Sequence, residues 1–191
     1  MDVFYADLFK EVEMEKFTNR ILRAAKLDTS LYEEVEADTG AMGQAMAVVV
    51  LSSVAVGICS EMKGIGTLFL GIILALISWY IWAYLTYLIG TKLLPEPQTS
   101  SDPKELLRTI GFSSAPGLIC ILGIIPPLKA IIFFIANIWM IIAMVIAVKQ
   151  ALDYRSTIRA IGVVLIGGFV RIMLIASFAA LIQSIGGRLP K

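Results

Sequence analysis

The chain has 191 residues, of which 58% are hydrophobic before its 15 glycines are counted, with a formal net charge of +1 and a mean hydropathy of +0.84. An ordinary soluble domain reaches only about 45–50% apolar with glycine included, so no single soluble core would hide this surplus and the composition points to a membrane protein. The near-zero charge leaves no electrostatic footprint for nucleic acid, and the absence of histidine removes the commonest general base and transition-metal ligand.

The first 40 residues hold ten acids and five bases, whereas the remaining 151 hold five acids and eleven bases. This asymmetry sets a boundary near Gly40 between an acidic head (1–40) and an apolar body (41–191). Two aspartates and no basic-then-apolar pattern occupy the first ten positions, so no signal peptide is expected. In the head, Phe4, Leu8 and Val12 make one stripe, with Tyr5 and Phe9 beside it. Met14, Phe17, Ile21, Leu22 and Ala25 make a second stripe turned well away from the first. The spacing predicts helix, with a break or two partners near Glu13. Asp28, Thr29 and Ser30 read as a second helix start, Ser30 and Glu33 standing at capping-box spacing. The acidity opposes docking on anionic lipid, so the head is expected to pack on the protein's own loops or on a protein partner.

A helix needs about 20 apolar residues to cross a bilayer. Five stretches approach that length: 41–60, 65–90, 109–125, 128–148, and a last one from the loop at 149–159 to about 185. The third is short and interrupted at Pro116 and Gly117. Between the second and third, residues 94–104 have the Pro, Ser and charge content of a water-exposed loop. The fold expected is therefore all-α: a five-transmembrane-helix bundle with a short N-terminal helical segment. Eleven Lys and Arg fall on the side of the N-terminus against four on the other, which predicts a cytoplasmic N-terminus and a C-terminus outside.

The run Leu107, Arg108, Thr109, Ile110, Gly111, Phe112, Ser113, Ser114, Ala115, Pro116 joins a basic loop end, a glycine-aromatic pair and a proline inside a span. With the span that carries Trp139 and the loop Lys149, Gln150, Ala151, Leu152, Asp153, Tyr154, Arg155, Ser156, it resembles the Yip (Ypt/Rab-interacting protein) domain family over roughly 41–183. The resemblance implies a five-span bundle with a cytoplasmic N-terminus, and for eukaryotic members an association with small Rab-type GTPases and vesicle trafficking. An Asp-Leu-Tyr-Gly-Pro motif typical of those members is missing and the head is short, so the chain looks more like a prokaryotic-type member. Its membrane is then the cell membrane, or an endomembrane in a eukaryote.

Arg171 is the most informative residue, since a charge some 12 residues into the fifth span needs compensation. Counting from the intervening loop puts Asn137 of the fourth span at the same depth. With Ser113, Ser114 and the helix break at Pro116, these residues form a candidate intramembrane polar site, readable either as a structural arginine bonded to Asn137 and freed carbonyls or as an anion or lipid-headgroup site. Tyr80, Tyr84 and Tyr87 share one helical face beside Trp79 and Trp82, the pattern of an interfacial belt. Small residues four apart (Ser53 and Gly57, Gly71 and Ala75, Ala143, Ala147 and Ala151) suit close packing within the bundle or a homo-oligomer face. Cys59 and Cys120 read as buried hydrophobes, and no nucleophile with its base, phosphate loop, catalytic carboxylate pair, metal set or cofactor motif is present. The function expected is non-enzymatic: a scaffold, membrane organiser or partner adaptor whose partners are membrane lipid and a protein at the head. The alternative is a transporter or lipid-handling protein working through Arg171 and Asn137.

Overall fold

The computed structural model describes residues 2–60 and 64–186, with side chains over 11–60 and 64–173. The Phe4, Tyr5, Leu8 and Phe9 stripe, the turn at 61–63 and the C-terminal Arg188 and Lys191 lie outside the described side chains. All regular structure among the described residues is helical. Helix α1 (Asp2–Ala25) runs unbroken through Glu13, where a break or a change of partner was expected. The second stripe divides: Phe17 and Ile21 pack on the core, whereas Met14 and Leu22 face outward. After Leu27, whose φ of 63° turns the chain, α2 (Thr29–Ala37) starts on Asp28, whose carboxylate accepts from Ser30 N at 3.0 Å. The Ser30 and Glu33 box does not form. Glu33 instead accepts from Gln150 Nε2 at 2.8 Å, because tertiary packing brings the α6 end to it.

A short 3₁₀ turn, Thr39–Ala41, leads into α3 (Met42–Cys59), and α4 follows (Ile65–Leu88), ending in one wide turn over Ile89–Leu93. Helix α5 (Pro103–Phe112) starts six residues before the expected third span. Asp102 caps the backbone of Lys104 and Glu105, while Glu105 returns a carboxylate to Asp102 N at 2.8 Å. Asp102-Pro103-Lys104-Glu105 thus holds a reciprocal capping box with proline in the first turn, a helix-start signal inside what reads as loop. A 3₁₀ segment, Ala115–Ile124, continues α5. Then come α6 (Lys129–Ala151) and α7 (Thr157–Gly186).

Four helical stretches among the described residues are long and apolar enough to cross a membrane: Thr39–Cys59, Ile65–Leu93, Pro103–Ile124 and Pro126–Ala151. Helix α7 has the length of a fifth, 30 residues. The 3₁₀ segment lies between α3 and α6. Three apolar clusters hold the molecule. One joins α2 and the end of α1 to α3, α5 and α6 through Ala24, Leu31, Tyr32, Val35, Val48 and Phe112. A second joins α4, α5, α6 and the first turns of α7 through Leu106, Met144, Leu152, Tyr154 and Val163. The third, at the end away from the head, contains Ala55, Cys59, Cys120, Ile132 and Ala136. The compositional boundary at Gly40 falls at a turn, but the packing crosses it: Leu31, Tyr32 and Val35 of the acidic head are fully buried.

Candidate functional site

The residues singled out from sequence fall into three separate places. Asn137 follows Ala136 of the far-end cluster, is exposed, and donates to the Phe133 carbonyl of its own helix at 2.7 Å. Arg171 lies with its guanidinium 5.3 Å from the ring centroid of Trp82, a cation–π distance. No hydrogen bond joins Arg171 to Asn137. The level of Arg171 follows from its neighbours. Trp79 Nε1 donates to the Leu107 carbonyl at 3.0 Å, and Trp82 is three residues nearer the C-terminal end of α4. The arginine therefore stands on the side of Trp79 that leads towards the head end of the bundle. Counting residues from the loop failed because the first turns of α7 are themselves part of the head-end cluster, where Ala160, Val163 and Val164 pack with Ile89, Leu152 and Tyr154.

Ser113, Ser114 and Pro116 mark the change from α to 3₁₀ helix. Ser113 Oγ donates to the Ile110 carbonyl at 2.7 Å, and Ser52 Oγ of α3 donates to the Ser114 carbonyl at 2.8 Å. Gly117 N bonds the Ser114 carbonyl at 2.9 Å, so the tighter helix uses an acceptor that an α-helical continuation would have directed elsewhere. A side chain at Gly117 would meet Ser52 Oγ at 2.2 Å and Met140 Sδ at 2.8 Å. The break is thus filled by protein, with the Ile110 and Ser114 carbonyls accepting hydrogen bonds. Two shallow depressions line α1, through Val12, Lys16 and Arg20 and through Met14, Thr18 and Leu22, and neither touches Arg171, Asn137 or Pro116.

The densest polar structure is one that the sequence reading missed: the joint between head and bundle. Arg108, taken there as a loop-end base, is 5% exposed and reaches across to α2. Its Nε donates to the Val35 carbonyl at 2.9 Å and its Nη2 to the Glu36 carbonyl. These are last-turn carbonyls of α2, where a helix has unsatisfied acceptors and partial negative charge. Arg20 of α1, 2% exposed, donates to Glu34 and Asp38 and, at 2.8 Å, to Gln44 of α3. Arg23 holds Asp28 and Glu34. The hydrogen bond from Arg23, followed by that from Ser30, holds the Asp28 carboxyl down at about 2. Burial pushes the Glu36 carboxyl up to about 7, reinforced by Glu105, Asp153 and Glu33, while the charge of Arg108 opposes the rise. A usable signal existed in the sequence: Arg20 and Arg23 are the two arginines among the five bases of an acidic segment, and Arg108 interrupts the apolar residues Leu106, Leu107 and Ile110.

Beside the joint, Asp153 takes a φ of 53° at the end of α6, and Tyr154 Oη donates to the Gly90 and Leu94 carbonyls at 2.8 and 2.7 Å. Glu96 accepts from the backbone of Arg155 at 2.9 Å and of Ser156 at 3.2 Å. The 94–104 loop is thereby tied to the α6–α7 loop. Among the described residues no group of His, Cys, Asp and Glu side chains is placed to hold a metal.

No curated protein and no solved structure matches the chain. The family model of the Yip1 domain matches residues 35–180, from the last turns of α2 through most of α7. That match takes in the Arg108 joint, the α5 break and the Tyr154 loop, and the chain belongs to the Yip1 domain family of multi-pass membrane proteins.

Proposed function

We propose that this protein is a non-enzymatic membrane adaptor or scaffold whose head, docked on one end of the bundle, offers the outer face of α1 to a protein partner. The observation that carries the reading is the two-sidedness of α1. Its inner side is anchored through Arg20 and Ala24, which are 2% and 0% exposed, while Val12, Met14 and Leu22 stand 54%, 64% and 54% exposed. Glu11 and Glu15 lie among them, so an apolar-acidic surface is held on a fixed base. Scattered exposed apolar residues are ordinary, but Val12 and Leu22 flank Glu11 and Glu15 on the outer side of the helix, with Met14 at its edge, and such a patch on an anchored helix suits a partner's groove that takes an amphipathic helix. The head faces the cytoplasm, the C-terminus lies outside, and the membrane is the cell membrane, or an endomembrane in a eukaryote. Of the small-residue faces, Ala143, Ala147 and Ala151 are buried within the bundle, which leaves the half-buried Gly71 and Ala75 of α4 as the face for a homo-oligomer. A transporter reading has little support, since Arg171 and Asn137 stand apart and the Pro116 break is filled by Ser52 and Met140.

Deleting residues 1–40 would expose the core beneath Tyr32, so the test is a surface variant. Val12→Gln, Met14→Gln and Leu22→Gln together are expected to leave thermal stability in mild detergent unchanged and to lose co-purifying protein. Retention of every partner would sink the adaptor role. The orientation is tested with Cys59 and Cys120 replaced: single cysteines at Ser101 and Ser156 should resist an impermeant thiol reagent in intact cells, and one at Gly187 should react. Labelling at Ser101 would reverse the orientation.

A further inference from the structure

An arginine on a bundle surface that faces lipid needs an acceptor, and among the described residues Arg171 has none. It is exposed, and its guanidinium makes no hydrogen bond or ion pair with a described residue; it lies over the Trp82 ring at 5.3 Å. That cation–π contact takes up none of its N–H donors in a hydrogen bond. No acid lies in α3, α4, α6 or α7. Among the described residues, then, nothing supplies a counter-charge to Arg171.

The surroundings restrict what a counter-charge there would be. Trp82 sits in a band of Trp79, Tyr80, Tyr84 and Tyr87, with Tyr80 62% and Tyr84 49% exposed, and such aromatic bands mark the headgroup level of a bilayer. The ring edge of Trp82 lies against α7: a side chain at Gly168, one turn before Arg171, would come within 3.3 Å of it. The same seam has unmet polar capacity, because Trp82 Nε1 and, one turn on, Thr86 Oγ1 are buried without a hydrogen-bond partner, Thr86 being 1% exposed. A rigid, planar, five-donor cation at headgroup level fits the oxygens of a phosphate bidentately. We propose that Arg171, held on Trp82 in the seam between α4 and α7, binds the phosphate group of an anionic lipid headgroup. The site is independent of the partner surface on α1.

The test uses the full chain in phosphatidylcholine vesicles containing phosphatidylglycerol, with spin-labelled phosphatidylglycerol or phosphatidylcholine as the reporter of lipid held at the protein. The motionally restricted fraction is expected to favour phosphatidylglycerol on the order of fivefold, the ratio one basic side chain supports near a membrane surface. Arg171→Gln should bring the ratio towards one. Arg171→Lys should keep part of it, and Trp82→Phe, which retains a ring face, should keep most. Lys92→Gln removes an exposed charge of the wide turn after α4 and should change the ratio little. The proposal is overturned if Arg171→Gln and Lys92→Gln lower the ratio equally, since that is bulk surface charge. It is also overturned if millimolar inorganic phosphate abolishes the selectivity, which assigns the site to free phosphate, or if Arg171→Gln loses a co-purifying membrane protein while the lipid ratio stays the same. Should Arg171→Gln not fold, an Arg171→Lys ratio equal to that of Lys92→Gln overturns it as well.

Discussion

Helices α4 and α5 with its 3₁₀ continuation are both long enough to cross a membrane, yet they meet opposite surroundings. The most apolar window of α4 is 6% buried inside the protein, and that of α5 with the 3₁₀ segment is 67% buried. The buried one is also the less apolar, carrying Arg108, Thr109, Ser113 and Ser114. The hydrocarbon core of a bilayer favours apolar side chains, whereas a protein interior accepts a hydroxyl or a guanidinium whose partners are supplied; small residues then allow the backbones to approach. Hydropathy therefore shows which segments leave water, while hydroxyls, glycines and a buried arginine show which of them the protein surrounds.

The contrast is broken most directly by crowding the enclosed helix. Gly117→Val is expected to destabilise by about 3 kcal/mol or more through overpacking against Ser52 and Met140. Ile73→Val on the 53% exposed face of α4 should shift thermal unfolding in the same detergent by less than about 0.5 kcal/mol. Equal shifts would mean that the 3₁₀ segment is not enclosed. Next comes the polar content of the same helix. Arg108→Met leaves the Val35 and Glu36 carbonyls without donors and should cost about 2–3 kcal/mol, with faster proteolysis at 26–40 as the direct readout.

A pH dependence sharpens the difference further. The Glu36 carboxyl titrates at about 7 in the folded protein and at 4.5 ordinarily, so it binds its proton more tightly when folded. Its contribution to head docking is fully present below about 4.5 and is lost as pH rises through about 7. Limited proteolysis of the head should accelerate between pH 6 and 8, about one unit to either side of that value, and Glu36→Gln should flatten the change. Asp28 acts with the opposite sign, its stabilisation being present above about 3.8 and lost only as pH falls through about 2, well clear of that window. A smaller effect belongs to the start of α5: Asp102→Ala removes the cap and should cost about 1 kcal/mol by thermal unfolding. The smallest is a coupling. Asn137→Leu and Arg171→Leu should be additive to within about 0.5 kcal/mol, because their side chains do not meet. A larger coupling in thermal unfolding would restore the paired arrangement that residue counting suggested.

By itself the sequence determined the class of structure and the family. Helical length, apolar content and the loops, which the structure narrows to within 94–102 and 152–156, are local properties, and the run from Leu107 to Pro116 is contiguous, so both were legible without a partner segment. Even the Asp102 and Glu105 cap was present as a short motif. Tertiary structure alone decided what each charged or polar side chain meets. Arg108 finds α2 from 72 and 73 residues away, Ser52 finds the Ser114 carbonyl from 62 residues away, and Arg171 finds Trp82 where residue counting had paired it with Asn137. The depth of Arg171 was misjudged for the same reason: spacing along a helix gives its length, but where that length starts relative to the bundle depends on how Ala160 and Val163 pack against Leu152 and Tyr154. Periodicity is set within one segment, and the satisfaction of a buried donor is set between segments.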